Sequence, residues 1–471
     1  MTLAERIADY AANLKFEQLD AATVHEVKRR LLDSLACACG AYRSPTVQAG
    51  RNVAARVTAE PGAHFLGGTR PSSPELAAFV NGVLFRYLDY NDTYLSLEPA
   101  HPSDNFAAVL AAAEVAGCGG PDVITAAVIA YEIQCRLCDA ASIRARGWDH
   151  VTYGAFSTSA AAGRLLGLDA AKIAQALNLA GTPNVTLRQT RAGELSEWKG
   201  CAFANASRNG VFAALLAAEG LTGPSPIFEG EMGFWKQVSG EFALEKLAGV
   251  RSDRLQPVEG PAEAGHYEPL DDFMIKRTSI KYWPAEYHSQ SAIHAAIELR
   301  KQIPDVAQID RIDIASFDAA VDIIGKDPEK WRPKTRETAD HSLPYCTAVA
   351  LVDGDVTLDS FSDERLNDES LLELVSRITI HRDADLTARY PRGIPNRITV
   401  TLKDGTQFTE ENEFPRGHDR NPMDDLEVEQ KFRRLATGLL DEQTQSLVVK
   451  QCWELETLTG CGELLGLFPA V

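Results

Sequence analysis

The first 250 or so residues repeat one pattern, in which apolar residues recur three and four positions apart between helix-capping residues and glycines. From Val24 to Leu35 this spacing places the apolar side chains on one face of a helix. Ser73 and Pro74 show the start signal, because serine caps helices and proline fits their first turn. The same signals predict helices over residues 74–88, 122–141, 156–166, 169–180 and 199–220. The first half of the chain is therefore predicted to be all-α.

The periodicity changes after residues 251–267, a segment rich in proline, glycine and charge that we interpret as a linker. Strand-like segments follow at 273–280, 309–317 and 378–381, and residues 397–414 contain an Asp404-Gly405 hairpin signal. Helical patterns cover 284–302, 341–352, 426–440 and 442–457. We predict a mainly α protein: a large all-α domain over residues 1–265, completed by C-terminal helices over 416–471, with a smaller α+β lid domain over 266–415 inserted before them.

Charge and hydropathy exclude several classes of partner. The chain has 47 Lys and Arg against 66 Asp and Glu, a net charge of −19, which disfavours binding to nucleic acid. Its longest apolar stretch, residues 106–117, contains Glu114 and is shorter than the roughly 20 residues that span a bilayer. Residues 1–15 carry charges inside an apolar repeat, unlike a signal peptide. We therefore expect a cytoplasmic protein that binds neither nucleic acid nor membranes.

The cysteine pattern and the missing cofactor motifs limit which metals and cofactors the chain is predicted to bind. The nine cysteines lie mostly inside apolar helical patterns, which favours reduced, buried thiols. Cys135 and Cys138 form a single CxxC without a second pair, so a zinc site is not predicted. The sequence contains no GxGxxG, GxxxxGK[ST], HExxH or GxSxG motif. We expect no cofactor and no metal.

The segment YLDYNDTYLSLEPAHPSDN, residues 87–105, concentrates polar residues in one connection between helices. Its candidate site residues are Asp89, Thr93 and His101. We expect Ser103 to cap a helix beginning near Asp104, which would place His101 beside free N–H groups that suit an anion. Two other interpretations stay open: ordinary turn-forming residues, or a metal site built from the aspartates at 89 and 92 with His101.

Three further segments carry candidate residues. In ELSEWKGCAFANASRNG, Lys199 and Arg208 lie nine positions and about 180° apart on one helix, so both cannot face one site. We expect the surroundings of Arg208 to be buried, whereas a solvated cation is the alternative for either residue. The segment KYWPAEYHSQSAIH contributes Lys281, Glu286 and His288. The segment ADHSLPYCTAVAL contributes His341 and Tyr345, which we expect on one helical face, with a packing role as the alternative for His341.

Taken together, LDYNDT…HPSDN, PAEYHSQ and DHSLPY resemble the 2-methylcitrate dehydratase family, also called the MmgE/PrpD family, over nearly the whole chain. The resemblance implies a homodimer with a large all-α domain and a smaller α+β lid. It also implies a cofactor-free enzyme in one of three activities: 2-methylcitrate dehydratase of propionate catabolism and the methylcitrate cycle, cis-aconitate decarboxylase or iminodisuccinate epimerase.

The resemblance also implies roles for particular positions. The active-site aspartate and histidine fall on Asp89 and His101, with Thr93 between them; the active-site cation falls on Arg208; the lysine before the PA turn falls on Lys281. The family's tyrosine falls on Tyr345. The decarboxylases carry a catalytic histidine where this chain has Glu286, which argues against decarboxylation, and the segment around Lys199 differs from the dehydratases.

These observations predict a hydro-lyase acting on 2-methylcitrate or a related tricarboxylic or dicarboxylic acid. Dehydration needs a base, an acid for the leaving oxygen and cations that hold carboxylates. We expect Asp89 with His101 to handle one proton and His288 or Tyr345 the other, with Arg208 and Lys281 clamping the substrate. Lys199, Glu286 and His341 complete the predicted binding residues.

The alternatives are an epimerase or decarboxylase, a non-catalytic dimeric carboxylate binder and a metal-dependent lyase. For each of these functions, we predict a positively charged substrate cleft in a protein whose overall charge is negative.

Overall fold

The computed structural model describes residues 1–244, 247 and 272–471. The predicted linker, residues 251–267, lies outside the described residues. The N-terminal region contains nine α-helices in its described part: α1 Leu3–Asn13, α2 Ala21–Ala41, α3 Pro45–Ala54, α4 Pro74–Arg86, α5 Phe106–Ala116, α6 Gly120–Ala140, α7 Gly154–Leu165, α8 Ala170–Gly181 and α9 Trp198–Ala218.

Local capping explains where several of these helices begin. The side chain of Asp20 accepts a hydrogen bond from the backbone N–H of Thr23, and that of Asp169 accepts one from Lys172. The long helix predicted over 122–141 is observed as α6, within two residues of both predicted ends. The all-α prediction for the first half is confirmed.

Helix α9 lies at the centre of this region, packed against α4 and α7. The small residues of α9 let the neighbouring helices approach its backbone closely. At Gly210, for example, an added Cβ would lie only 1.9 Å from Thr158 Oγ1 on α7. A Cβ at Gly82 of α4 would lie 2.9 Å from Ala204 on α9. The small residues of α9 therefore serve helix packing.

After residue 272 the described chain forms a small mixed sheet with short helices around it. The strands are β1 Ile309–Ser316, β2 Ile378–Arg382, β3 Asn396–Leu402 and β4 Gln407–Asn412, in the order β2-β1-β3-β4. Strands β1 and β2 are parallel, while β1–β3 and β3–β4 are antiparallel. The predicted hairpin is confirmed, with Gly405 at φ +87° in its turn.

The helices of this second region and of the C-terminus are α10 Gln290–Gln302, α11 Asp318–Ala320, α12 Arg336–Ala339, α13 Leu343–Asp353, α14 Asp363–Leu366, α15 Glu369–Ser376, α16 Ala384–Arg389, α17 Asp425–Ala436, α18 Glu442–Trp453 and α19 Gly462–Leu465. Helices α10 and α13 pack on each other, and α10 contacts β3 and β4. Helix α17 instead packs on α2 of the first region. Val428 and Phe432 of α17 accordingly share one apolar core with Leu31 and Leu35.

A second apolar core, formed by residues between 283 and 402, includes Ile293, Ile314 and Val349. The mainly helical class with a mixed sheet in the C-terminal region is confirmed. The exact domain limits at 265 and 415 stay a prediction.

Four expectations about local structure are wrong. Residues 273–280 are not a strand: Met274–Arg277 is a 3₁₀ helix, and Ser279 pairs with Thr93 of a loop instead of joining the sheet. The helix predicted from 284 begins at Gln290, after the 3₁₀ turn Tyr287–Ser289. The helix predicted over 442–457 ends at Trp453, before a separate 3₁₀ turn.

The fourth concerns His341, which lies before helix α13 because Ser342 caps it. His341 and Tyr345 therefore do not share a helical face.

All nine cysteines are free, eight buried and Cys118 partly so, which confirms the prediction of unpaired core thiols. No helix in the part of the chain that the structure describes is long and apolar enough to cross a membrane.

Candidate active site

Asp89 is the centre of a buried charge cluster just beyond the end of α4. Its backbone φ is +50°, a left-handed conformation that a non-glycine residue adopts at a cost in energy. Its Oδ1 lies 2.5 Å from Arg86 Nη1 and 2.5 Å from Lys281 Nζ. The Lys281 ammonium also donates to the Asp89 carbonyl at 2.8 Å. The unusual backbone conformation thus lets one ammonium bind the carboxylate and the carbonyl of the same residue.

The second carboxylate oxygen of Asp89 faces two more nitrogen groups. Lys199 Nζ lies 3.2 Å and His341 Nε2 3.4 Å from Oδ2. Burial acts to raise the pKa of Asp89, but the charges of Arg86, Lys281 and Lys199 outweigh it and hold the pKa well below its ordinary value. Asp89 is therefore a permanent carboxylate at neutral pH.

Lys199 joins this carboxylate to a second one. Its ammonium lies 3.0 Å from Asp340 Oδ1 and 2.9 Å from His341 Nδ1, and that Nδ1 itself lies 2.7 Å from Asp340 Oδ1. Burial and the adjacent Lys199 charge lower the pKa of His341 to about 4, so its imidazole is neutral at pH 7. Asp89, Asp340 and His341 place potential metal-ligand atoms within 4.8 Å of one another. The ammonium of Lys199 contacts all three, so it supplies the positive charge at that point.

His101 is held as a neutral base. Its Nδ1 lies 2.7 Å from the carbonyl oxygen of Asp92, which can only accept, so Nδ1 carries the proton and Nε2 keeps its lone pair. Burial lowers the pKa of His101 well below 6.5, and the positive charges of Arg86 and Lys281 lower it further. The imidazole is 8% exposed, at the N-terminal side of the 3₁₀ turn Pro102–Asn105.

The carboxylate of Asp92 accepts hydrogen bonds that stabilise the loop around His101. Its Oδ1 accepts the backbone N–H of Ser103 at 2.9 Å, and its Oδ2 accepts the hydroxyl of Tyr131 at 2.7 Å. The expectation that Ser103 caps a helix near Asp104 is wrong, because the α-helix begins at Phe106. The backbone N–H of Ser103 is not free for an anion either, because it donates to Asp92. These bonds fold the loop around His101, and both Asp92 oxygens are in use.

The facing wall of the site comes from the start of the second region. Glu286 accepts the backbone N–H of His288 at 2.8 Å, and its Oε1 lies 2.7 Å from His288 Nδ1. Although burial raises the pKa of Glu286, the adjacent His288 lowers it to about 2 overall. His288 Nε2 lies 3.3 Å from the Tyr390 hydroxyl. The backbone N–H of Glu286 donates to the Asp340 carbonyl at 2.7 Å, which ties this wall to the charge cluster.

A cavity of about 100 Å³ lies between the two walls. Its lining includes the predicted residues Asp89, Thr93, His101, Lys281, Glu286, His288 and His341. It also includes charged or titratable residues that the sequence did not single out: Arg86, Glu98, Arg144, Asp149, His150, Arg188, Arg191, Asp327 and Lys330. Six lining residues are Arg or Lys and five are Asp or Glu. With its histidines neutral, the cavity is therefore locally positive in a chain of charge −19.

Three of the lining cations carry charge that the described residues do not neutralise directly. Arg144, Arg188 and Lys330 form no ion pair within 4.0 Å in the described ranges 1–244, 247 and 272–471. Burial lowers the pKa of Lys330, which is 3% exposed. Cations without a carboxylate partner are suited to bind anionic groups such as carboxylates.

His150 is the clearest residue that sequence reasoning missed. Its ring lies 5.7 Å from that of His101, and its Nδ1 lies 3.0 Å from Asp149 Oδ1. Asp149 also pairs with Arg191 at 2.8 Å and caps the 3₁₀ turn His150–Tyr153. That capping aspartate was the only local signal, and it marks a turn without indicating a site.

Three predicted residues do not line the cavity: Lys199, Arg208 and Tyr345. Arg208 is exposed and its guanidinium bonds Asn209 Oδ1 at 3.1 Å, while Lys199 on the same helix is buried, as their angular separation requires. The expected burial around Arg208 is only partly correct: Phe203 is buried, but Leu215 is half-buried and Phe212 is 51% exposed. Tyr345 is buried, but its hydroxyl donates to the Ser360 carbonyl at 2.8 Å and does not line the cavity.

Thr93 lies at the cavity edge. Its backbone pairs with Ser279 in both directions at 2.8 Å, and its hydroxyl donates to the Ala100 carbonyl at 3.2 Å. Thr93 therefore joins the His101 loop to the segment that carries Lys281.

The geometry so far defines a class: a mainly helical protein with a buried, positively charged acid–base cavity at its junction with a small mixed-sheet region. Residues 5–247 match the MmgE/PrpD N-terminal domain, and residues 283–455 match the MmgE/PrpD C-terminal domain. The chain belongs to the MmgE/PrpD family, and the resemblance seen in its motifs is confirmed.

Relatives of known name agree with this assignment. The chain is 31% identical over 469 residues to the 2-methylcitrate dehydratase of Escherichia coli K12, covering 94% of this chain and 92% of that protein. It is 30% identical to the 2-methylcitrate dehydratase of Cupriavidus necator, with 94% and 91% covered. It is 28% identical over 415 residues to the cis-aconitate decarboxylase of Mus musculus, with 84% and 78% covered. The family is thus one of enzymes that include dehydratases and a decarboxylase.

Proposed function

We propose that the protein is a cofactor-independent hydro-lyase that dehydrates 2-methylcitrate, or a closely related tricarboxylic acid, to 2-methyl-cis-aconitate or its equivalent. The observation that carries the proposal is the neutral imidazole of His101 in a cavity bordered by Arg144, Arg188 and Lys330, three cations that form no ion pair with any residue the structure describes. The choice of acid comes from the relatives named 2-methylcitrate dehydratase, which match along nearly the whole chain.

The proposed reaction divides the two proton transfers between the two walls. His101 Nε2 removes the proton α to a carboxylate, and the lining cations stabilise the enediolate-like charge that develops. The C–O bond to the leaving hydroxyl breaks as His288 supplies a proton, so water is released. His101 then holds one extra proton and His288 lacks one, and exchange with solvent resets both.

The structure favours His288 over Tyr345 as the acid, because Tyr345 bonds a backbone carbonyl outside the cavity. Asp89 is already surrounded by cations and has a strongly lowered pKa, so it is a poor base. We assign it to holding Lys281 and Arg86 in place. Lys199 supports Asp89 and Asp340 from behind, and His341, which lines the cavity, contacts the same two carboxylates.

The cavity volume supports a moving lid. A cavity of about 100 Å³ is smaller than the roughly 300–1,000 Å³ typical of small-molecule sites. Binding of a tricarboxylate would therefore need the second region to separate from the helical region, as expected for a lid. We also propose a cytoplasmic homodimer, on the family resemblance, which light scattering coupled to gel filtration tests.

The decisive experiment incubates the purified protein separately with 2-methylcitrate, citrate, cis-aconitate and iminodisuccinate. Absorbance of a new conjugated double bond reports dehydration, release of CO₂ reports decarboxylation, and chiral product analysis reports epimerisation. We expect a conjugated product from 2-methylcitrate without CO₂, unchanged by a metal chelator. If no acid is turned over, the dehydratase proposal fails and a carboxylate binder is favoured.

One observation favours a second candidate. The likeness to the mouse cis-aconitate decarboxylase spans 84% of this chain. Release of CO₂ from cis-aconitate, without turnover of 2-methylcitrate, would select decarboxylation. Loss of activity with chelator, restored by a divalent metal, would select a metal-dependent lyase.

A further inference from the structure

Lys431, on helix α17, reaches the underside of the active site from the C-terminal part of the chain. Its ammonium donates to the carbonyl of Tyr90 at 2.7 Å and to the carbonyl of Lys281 at 2.9 Å. It also lies 2.6 Å from Asp33 Oδ1 on α2. The Lys431 side chain is 2% exposed and that of Asp33 is fully buried. The ammonium thus donates two hydrogen bonds to backbone carbonyls and forms an ion pair with Asp33.

The two carbonyls belong to the chain segments that form the Asp89–Lys281 contact. Tyr90 follows Asp89, whose φ is +50°, and Lys281 supplies the ammonium bound to that carboxylate. The two segments are 192 positions apart in sequence. A single ammonium bonded to both backbones therefore fixes their separation directly behind the side-chain contact.

Contacts around Lys431 strengthen the same junction. Its Nζ lies 3.7 Å from the centre of the Tyr90 ring, a cation–π distance. The Tyr90 hydroxyl donates to the Tyr282 carbonyl at 2.6 Å and accepts from Arg434 at 2.6 Å. On α2, Arg30 donates to the Thr278 carbonyl at 2.6 Å. Helices α2 and α17 thus hold the segment around Lys281 at several points.

Asp33 supplies the negative charge that the buried ammonium of Lys431 needs. A buried ammonium needs a counter-charge, and the nearby carbonyls supply only partial charges. Neither Asp33 nor Lys431 is among the residues that line the cavity. Their burial and charge are thus explained by the backbone junction they hold.

We propose that Lys431, neutralised by Asp33, is a positioning residue that sets the Asp89 loop and the Lys281 segment at the separation the reaction needs. The proposal rests on the proposed function for its kinetic readout. It places part of the active-site support on helix α17, whose apolar face belongs to the core of the helical region.

The test separates positioning from stability. Lys431→Met alone leaves Asp33 buried without a counter-charge, so the main variant is the double substitution Asp33→Asn with Lys431→Met, which removes both charges. We expect it to be folded and to melt above Lys431→Met. Its kcat should fall about 10- to 100-fold, because a displacement near 1 Å in a catalytic group can cost about 100-fold. The acid limb of kcat/KM should also move to higher pH, because Lys281 helps to lower the pKa of His101.

Lys28→Met is the matched control. Lys28 is a buried α2 lysine whose ammonium bonds Glu456 of the C-terminal region, and it touches neither active-site segment. We expect its kcat and pH profile to match the wild type. Equal loss of kcat in Lys28→Met, with unchanged pH profiles in both variants, would reduce Lys431 to a structural role and overturn the proposal.

A crystal structure of the double variant gives a result that does not depend on turnover. We expect the Asp89–Lys281 contact to lengthen beyond hydrogen-bond distance. An unchanged contact, or an unchanged kcat in the folded double variant, overturns the proposal. If the wild type turns over none of the four acids, the proposed function fails, and this structure alone decides whether Lys431 positions the pair.

Discussion

The two walls of the cavity each present a buried histidine, and the atom bonded to Nδ1 differs between them. On the helical wall, His101 Nδ1 faces a backbone carbonyl, which fixes the neutral tautomer with a free lone pair on Nε2. On the opposite wall, His288 Nδ1 lies 2.7 Å from Oε1 of the Glu286 carboxylate, which can only accept a hydrogen bond. In the proposed reaction, the same residue type therefore acts as the base on one wall and as the acid on the other.

The charged groups behind each wall follow the same division. Arg86 and Lys281 near His101 disfavour an added proton there. Glu286 near His288 is itself a carboxylate: burial raises its pKa, but the adjacent His288 lowers it to about 2 overall. The partner of each ring, more than the ring itself, decides its proposed role.

The largest effect is expected from the helical wall. His101→Ala should lower kcat by roughly 10²- to 10⁴-fold, the usual contribution of a general base. The measurement is turnover of the acid identified above, with circular dichroism to show that the variant is folded. His381→Ala, an exposed histidine on β2, is the control and should keep wild-type kcat. Full turnover by a folded His101→Ala protein would remove His101 from the reaction.

The opposite wall should give a smaller loss. His288→Ala is expected to lower kcat about 100-fold, since a leaving hydroxyl can still take a proton from water. Glu286→Gln keeps the shape of the side chain but removes its charge, and should lower kcat about 10-fold. Steady-state kinetics on both variants checks this order. If Glu286→Gln behaves as wild type, the carboxylate partner does not distinguish the two walls.

Removal of a lining cation should weaken substrate binding more than chemistry. Lys330→Met should raise KM roughly 10- to 100-fold with a smaller change in kcat, because a hydrogen bond to a charged group contributes about 1.5–3 kcal/mol. The exposed lysine at position 403 provides a control, Lys403→Met, with an unchanged KM. An unchanged KM in Lys330→Met would show that this cation does not contact the substrate.

The pH dependence tests the helical wall without a mutation. A base must be unprotonated to act, and burial together with Arg86 and Lys281 lowers the pKa of His101 below 6.5. The acid limb of kcat/KM should therefore lie below pH 6.5, and the enzyme should keep its activity as pH falls through that value. An acid limb above pH 6.5 would contradict a His101 of lowered pKa.

The smallest effect is expected at Arg208. The family resemblance assigns it to substrate, but in this structure it is exposed and bonded to Asn209. Arg208→Met should leave kcat and KM within about twofold of wild type, measured beside Lys330→Met. A large rise in KM would show that a subunit contact or a different arrangement of the chain brings Arg208 to the substrate.

Much of the fold is predictable from local sequence, and the errors fall where distant segments meet. Helix α6 is predicted within two residues at each end because its apolar spacing and end signals are local. The segment 273–280 has strand-like residues, yet Ser279 pairs with Thr93 from a loop far away in sequence. Its pairing partner, and so its structure, depended on tertiary contacts.

The candidate site shows the same limit. The loop 87–105 stands out in sequence because its polar residues crowd one connection between helices, and the structure brings Asp89 and His101 to the cavity. Arg144, Arg188 and Lys330 do not stand out, because each resembles an ordinary surface cation in its own segment. Only the folded chain brings them to a common cavity, where they form no ion pair within the described part of the chain.

The sequence by itself determined the helical first half, the Asp404-Gly405 hairpin and the residues that carry the family resemblance, because periodicity, caps and turn chemistry act over a few residues. Tertiary structure decided which of Lys199 and Arg208 is buried, and that His101 bonds a carbonyl while His288 bonds a carboxylate. Burial depends on segments that meet only after folding, and a proton's position depends on the one atom that meets the ring.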